Sequence, residues 1–264
     1  MKIKEQKVIY YEDELNDEFS EAKIEPRIID KNYIYIHKNP LWNFASFMVQ
    51  NFLSMPIKVL YSKIKFRHRF IGKEKLKPFK KQGYFMYVNH TQAFADTFIP
   101  SLANYPKRNF LIVNPENVSM KGMQTLVEML GAIPIPNEIS AMKNFLEAIK
   151  NRIKKGYSIT IYPEAHIWPY YTKIRNFKDV SFKYPIELEV PVFSITNTYQ
   201  TYGKNKIKIE SFIDGPFYPD KEKNGKELNK KQKQKNLRNK VYNTMVERSK
   251  KSNIEYIKYV KKEN

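Results

Sequence analysis

The sequence predicts an α/β fold: a mixed, largely parallel sheet flanked by helices, preceded by an amphipathic helix and followed by a basic helical tail. Three observations carry that expectation. Apolar runs of strand length alternate with segments of helical period across residues 67–218; an apolar stretch without charge stands in front of them; and the last 45 residues are Lys-rich.

Taken in order, residues 1–40 form an extension with an acidic stretch from Glu12 to Glu21, then Pro26 and the run Tyr33-Ile34-Tyr35-Ile36, which predicts a short strand. Beside it, His37 reads as an ordinary packing histidine. Residues 41–61 carry no charge before Lys58, and Asn43, Ser46, Gln50, Ser54 and Lys58 recur at steps of three and four. On a helix these fall in one narrow polar stripe. The stretch, bounded here as 41–66, runs into Lys63, Lys65, Arg67, His68 and Arg69. A span needs roughly 20 continuous apolar residues, so the stripe and Pro56 favour a helix lying in a membrane interface over one crossing it. A helix packed on the core is the alternative, and the adjoining cations favour anionic lipid.

Within 67–218, residues 83–88 and 110–113 read as strands and 119–130 as a helix stopping at Gly131. Residues 133–135 are a short extended piece. From 138 to 155, Ile139, Met142, Phe145, Ile149 and Ile153 share one face, with Gly156 as terminator. Strands follow at 157–161, 190–196 and 206–213. The basic helical tail, 219–264, has 15 Lys and Arg against 6 Asp and Glu from residue 220 onward, a net +9. Leu237, Val241, Met245, Ile254, Ile257 and Val260 allow amphipathic helices on it.

Composition then limits function. The 264 residues include 47 Lys and Arg against 27 Asp and Glu, a net charge of +20, and no cysteine. Disulfides, thiolate metal sites and a cysteine nucleophile are therefore excluded. Four histidines spread along the chain offer no zinc ligand cluster. The positive charge suits nucleic acid, an anionic membrane surface or acidic soluble partners. Without any RNP, zinc-finger or homeodomain pattern, nucleic acid is not the expected partner. A polar amino terminus without an apolar signal core is expected of an unprocessed cytoplasmic chain.

Chemistry concentrates at two strand ends. Residues 87–88 deliver Asn89-His90, and Asp96 follows six residues after the histidine. A carboxylate holding one ring N–H leaves the other imidazole nitrogen basic, the arrangement of an oriented general base. At the second end, residues 157–161 run into Tyr162-Pro163-Glu164-Ala165-His166. In α/β sheets ligands bind at strand carboxyl ends, so the two patches are expected to share a cleft.

These residues resemble the phospholipid/glycerol acyltransferases, the lysophosphatidate acyltransferase family. The resemblance covers roughly residues 66–197. Phe70-Ile71-Gly72-Lys73-Glu74 is similar to the strand opening the family domain. Asn89-His90 with Asp96 resembles the first motif, Gly131-Ala132-Ile133-Pro134-Ile135 the second, Tyr162-Pro163-Glu164 the third, and Val190-Pro191-Val192-Phe193-Ser194-Ile195 the fourth. Three departures stand out. Five residues separate His90 from Asp96 where the family usually has four. Asn137 stands where the second motif offers arginine, and Glu164-Ala165-His166-Ile167 where the third reads Glu-Gly-Thr-Arg.

The resemblance implies that His90, oriented by Asp96, deprotonates an acceptor hydroxyl for direct attack on an acyl thioester. Substrate contacts are expected from Asn89, Glu164, His166, Lys173, Arg175 and Lys178, the last three replacing the missing arginines unless the acceptor carries no phosphate. No cofactor or metal is expected; acyl-CoA or acyl-acyl carrier protein is the co-substrate. The expected partners are that donor, a lipid acceptor and an anionic membrane surface, with the chain peripheral or monotopic on the cytoplasmic face of the cell membrane. A basic nucleic-acid- or membrane-binding module without catalysis is the reading from another class.

Overall fold

The computed structural model describes residues 6–19, 24–203, 206–223 and 225–262. Ser20 and Glu21, at the end of the acidic stretch, lie outside the described residues. The strands are β1 (Lys7–Tyr11), β2 (Arg69–Ile71), β3 (Tyr84–Val88), β4 (Asn109–Val113), β5 (Ala132–Pro134), β6 (Ser158–Ile161), β7 (Val192–Tyr202), β8 (Lys206–Phe217), β9 (Glu222–Lys223), β10 (Lys226–Glu227) and β11 (Ile257–Lys261). The α-helices are α1 (Pro40–Met48), α2 (Ser54–Phe66), α3 (Ala95–Asn104), α4 (Gln124–Met129), α5 (Met142–Lys154), α6 (Lys183–Glu187) and α7 (Lys230–Ser249).

Seven strands form the central sheet in the order β2-β8-β7-β3-β6-β4-β5. Neighbours from β7 through β5 pair in parallel, β8 is antiparallel to β7, and β2 is parallel to β8. The predicted mixed, largely parallel sheet flanked by helices is the observed architecture. Period-2 alternation sorts β3 between two cores: Phe85 and Tyr87 face a layer with Phe145, Ile149, Leu237 and Val241, while Tyr84, Met86 and Val88 face Phe66, Ile99 and Ala103. Both faces of β3 are covered, so all five of its residues are buried.

Several elements differ from expectation. Residues 33–36 form no strand. The Tyr33 and Tyr35 rings lie 4.6 Å apart, and the hydroxyls donate to Glu128 and the Pro134 carbonyl. Side chains rather than a partner strand serve this backbone: Arg152 donates to the Tyr35 carbonyl, and Asn137 brackets Arg27 and Ile29. The helix expected over 119–130 is shortened to α4. In the tail, α7 buries Leu237, Val241 and Met245, but Ile257 and Val260 belong to β11, which pairs in parallel with β1. Tail and extension thus meet on the folded body.

Residues 40–66 form one helical run, interrupted by a five-residue π segment, Val49–Leu53. A polar stripe at four-residue steps creeps around an α-helix of about 3.6 residues per turn. The wider π turn takes up part of that drift and buries both Gln50 and Asn51. Ser46, Gln50 and Lys58 of the stripe face inward, 5%, 2% and 4% exposed, joined by Ser62 at 2%, whereas Ser54 is half-buried and Asn43 is exposed. Outward point Leu41, Leu53, Ile57, Leu60 and Ile64, between 60% and 76% exposed. Lys63, Lys65, Arg67 and Arg69 are exposed beside them, whereas His68 departs from that cluster and is buried. Gly131 explains the close seat of this run: a Cβ there would lie 2.7 Å from the Gln50 amide nitrogen. No helix among the described residues is long and apolar enough to cross a membrane.

Candidate active site

His90 leaves the carboxyl end of β3 and Asp96 lies in the first turn of α3. Their side chains meet at 2.8 Å, His90 Nδ1 to Asp96 Oδ2, although five residues intervene. The loop wraps the carboxylate, with the Thr91 and Gln92 backbone N–H groups also donating to Oδ2 at 2.8 Å each. Three donors on one oxygen require an ionised acceptor. Nδ1 is therefore the ring nitrogen that donates, and in the neutral imidazole Nε2 carries the lone pair. Among the described residues none bonds Nε2. The Asp96 side chain is 1% exposed and that of His90 24%, so a substrate reaches the imidazole and not the carboxylate. Burial pushes the Asp96 carboxyl up, and the hydrogen bond from His90 opposes it.

Behind this pair runs a chain of donors through the sheet. Buried His68 bonds Ser211 Oγ through Nε2 at 2.7 Å, Ser211 donates to Asn197 Oδ1 at 2.5 Å, and Asn197 Nδ2 reaches Asp96 Oδ1 at 3.3 Å. Because Ser211 spends its proton on Asn197, His68 Nε2 is the donor to Ser211. Burial, then Lys63 and Lys73, push the His68 imidazole down to about 4, so it stays neutral. Tyr162 closes another side, its ring 4.5 Å from that of His90 and its hydroxyl donating to the Asp96 carbonyl. Asn197, Ser211 and His68 were not selected as site residues from the sequence, and Tyr162 was named there only as part of a motif. Sheet register alone brings β7 and β8 beside the end of β3.

Of the six predicted substrate-contact residues, three are buried, His166 is half-buried and two are exposed. Asn89 is buried and exchanges hydrogen bonds with the Asn197 backbone, lacing β3 to β7. Glu164 stands beside His90 but turns inward: its carboxylate accepts the His90 and Arg175 backbone N–H groups at 3.0 Å each and faces the Arg175 guanidinium at 3.6 Å. Burial pushes the Glu164 carboxyl up, and Arg175 opposes it. Arg175 is itself 1% exposed, donating to the His166 and Glu14 carbonyls and lying 4.9 Å from the Trp168 ring. A guanidinium so enclosed is an internal counter-ion, which corrects its expected role against a ligand. His166 pairs with Glu18 of the amino-terminal extension at 3.0 Å. Only Lys173 and Lys178 remain as exposed cations from that set. No group of three His, Asp or Glu side chains suited to a metal ion occurs among the described residues.

A free imidazole nitrogen, backed by a buried carboxylate and open to solvent, is equipped to take a proton from a hydroxyl. No curated protein sequence matches the chain. Among solved structures it is similar to the 1-acyl-sn-glycerophosphate (LPA) acyltransferase PlsC from Thermotoga maritima, at 16% identity and a TM-score of 0.49, over 82% of this chain and 85% of that one. Residues 67–198, which contain His90, Asp96, Glu164 and Asn197, match the model of the Acyltransferase family. With half its length so matched, the chain belongs to the acyltransferase family and is an acyltransferase.

Proposed function

We propose that this acyltransferase moves a fatty acyl group from an acyl thioester, acyl-CoA or acyl-acyl carrier protein, to the hydroxyl of a lysophospholipid such as 1-acyl-glycerol-3-phosphate. The reaction would serve phospholipid biosynthesis at an anionic, cytoplasmic membrane face. The observation that carries the reading is the His90–Asp96 contact with Nε2 left free. Nε2 takes the hydroxyl proton as the acceptor oxygen attacks the thioester carbonyl. Asp96 stabilises the imidazolium that forms, and the proton passes to the departing thiolate as the C–S bond breaks. Because the acceptor oxygen attacks directly, no acyl-enzyme is required.

Membrane placement rests on the inverted helix. Its outward apolar side chains continue toward the site, where Tyr61 packs against Phe94 and Phe98 in the segment bordering Asp96. Lys63 and Arg67 are exposed there and have no carboxylate within 4.0 Å among the described residues, and each adds about 1 kcal/mol at an anionic surface. Arg69 is already paired with Glu210.

The inward turn of Arg175 favours a second acceptor, a lipid hydroxyl without phosphate. Labelled acyl transfer to lysophosphatidate beside monoacylglycerol decides between them: preference for the first supports the lysophospholipid, and preference for the second replaces it. His90→Ala is expected to lower transfer by about 10²- to 10⁴-fold in a folded chain. Wild-type turnover in that variant would overturn the assignment of the base.

A further inference from the structure

The amino-terminal part of the inverted helix borders a cavity of ≈ 330 Å³ near the amino-terminal ends of the parallel strands, the end opposite to that which carries His90. Arg108 precedes β4, Tyr157 precedes β6 and Arg152 lies at the end of α5, whereas His90 follows the parallel strand β3. Arg108, Arg152 and Lys155 line the cavity, and the His37 and Trp42 rings, stacked at 4.0 Å, form another part of its wall. Both guanidiniums lie against the Phe110 ring, 5.0 Å and 4.6 Å from its centre.

None of these three cations has a carboxylate within 4.0 Å among the described residues. Arg108 donates to Gln50 Oε1 and Ser46 Oγ, each at 2.6 Å, and Arg152 to the Ala148 and Tyr35 carbonyls. Those dipoles solvate the charges without neutralising them. Arg152 Nε is buried and has no hydrogen-bond partner. Burial, then the like charge of Arg108, push the Arg152 guanidinium down to about 10. Glu128, the acid in the wall, is occupied by Arg27 at 3.2 Å and the Tyr33 hydroxyl at 2.9 Å. Like charges held together without a counter-ion favour a bound anion, and guanidinium forks match the several acceptor oxygens of a phosphate. Phe44 and Phe47 line the same cavity and are exposed on the outward helix face.

From this cluster we infer that the cavity binds the phosphate group of an anionic amphiphile at a site separate from the acceptor presented to His90. The inference rests on the membrane reading for the apolar chain and not for the anion. Isothermal titration calorimetry on the full chain tests it, with monomeric dihexanoyl phosphatidate, inorganic phosphate and uncharged dihexanoylglycerol as titrants. Phosphatidate is expected to bind saturably, inorganic phosphate about tenfold more weakly, and dihexanoylglycerol not at all. His90→Ala leaves phosphatidate binding intact, which separates this site from the acyl-transfer reading. Arg152→Gln weakens it about tenfold or more. Because Arg152 also holds the Tyr35 carbonyl, Lys155→Glu, at an exposed position, serves as a variant that folds and is expected to weaken binding about threefold or more. Absence of saturable phosphatidate binding would overturn the site, as would binding lost in His90→Ala but kept in Lys155→Glu. Equal affinity for inorganic phosphate would overturn the lipid source.

Discussion

The helical run of residues 40–66 and helix α7 have stripes of similar period and opposite sense. In α7, Leu237, Val241 and Met245 point into the core and the lysines point out. In the 40–66 run, Ser46, Gln50, Lys58 and Ser62 point in, while leucines and isoleucines face solvent. The first arrangement follows from removing apolar surface from water. The second is held at Ser46 and Gln50: Gln50 donates to the Asn109 and Leu130 carbonyls and accepts from Arg108, and Ser46 donates to the Met129 carbonyl, whereas Asn51 Nδ2 and Ser62 Oγ are buried without a hydrogen-bond partner among the described residues. A helix held by polar contacts leaves its apolar face exposed, and the proposed membrane placement rests on that face.

The largest effect expected from this contrast is on vesicle binding. Combining Leu53→Glu, Ile57→Glu and Leu60→Glu should reduce sedimentation with anionic vesicles more than about tenfold, since each charge replaces an apolar group at the lipid boundary. Lys231→Gln with Lys235→Gln on α7 should change it less than about threefold. If the first set sediments like the wild type, the outward face is not the attachment surface. Urea unfolding sharpens the comparison further. Met245→Ala should cost about 2–5 kcal/mol by leaving a cavity. Gln50→Leu, although it adds an apolar group beside the core, should cost about 1–3 kcal/mol because Arg108 and two carbonyls lose their partner. A neutral or stabilising Gln50→Leu would break the account of the inverted helix.

The smallest effect concerns what ties α7 to the sheet. Burial would raise the Asp214 carboxyl, but hydrogen bonds from Arg248, at 2.7 Å and 2.8 Å, and from Lys75, at 2.8 Å, outweigh it and hold it below the usual value. A folded value below the unfolded one contributes stability above the unfolded value, and that contribution is lost as pH falls through the folded one. Asp214→Asn should therefore cost about 1 kcal/mol near neutral pH, with both partners about a third exposed. Denaturation at a series of pH values should show the difference shrinking below about pH 4. A difference constant down to pH 2 would remove the ion pairs from the account.

Much of the site was legible because its residues follow strands whose apolar runs are plain. The ends of β3 and β6 locate Asn89, His90 and Glu164, and the resemblance of four blocks supplied their order. The roles of Glu164 and Arg175 were not legible. Whether a carboxylate eleven residues before an arginine meets a ligand or that arginine depends on how the intervening loop folds back, and here Trp168 and Tyr170 bind its backbone to the His90 and Thr91 carbonyls. Residues 33–36 misled for a related reason: alternating Tyr and Ile suits a strand, yet two tyrosine hydroxyls found partners in the core and on α4.

By itself the sequence determined the α/β class, the ends of the strands that carry the chemistry and the existence of a two-faced helix over residues 41–61. These follow from composition and period, which are local. Tertiary structure alone decided which helix face turns inward, that His68 and Asn197 stand behind Asp96, that Arg175 is withdrawn, and that Arg108 and Arg152 share a cavity. Those outcomes depend on which distant groups meet to satisfy hydrogen bonds and charge, and periodicity carries no information about the partner.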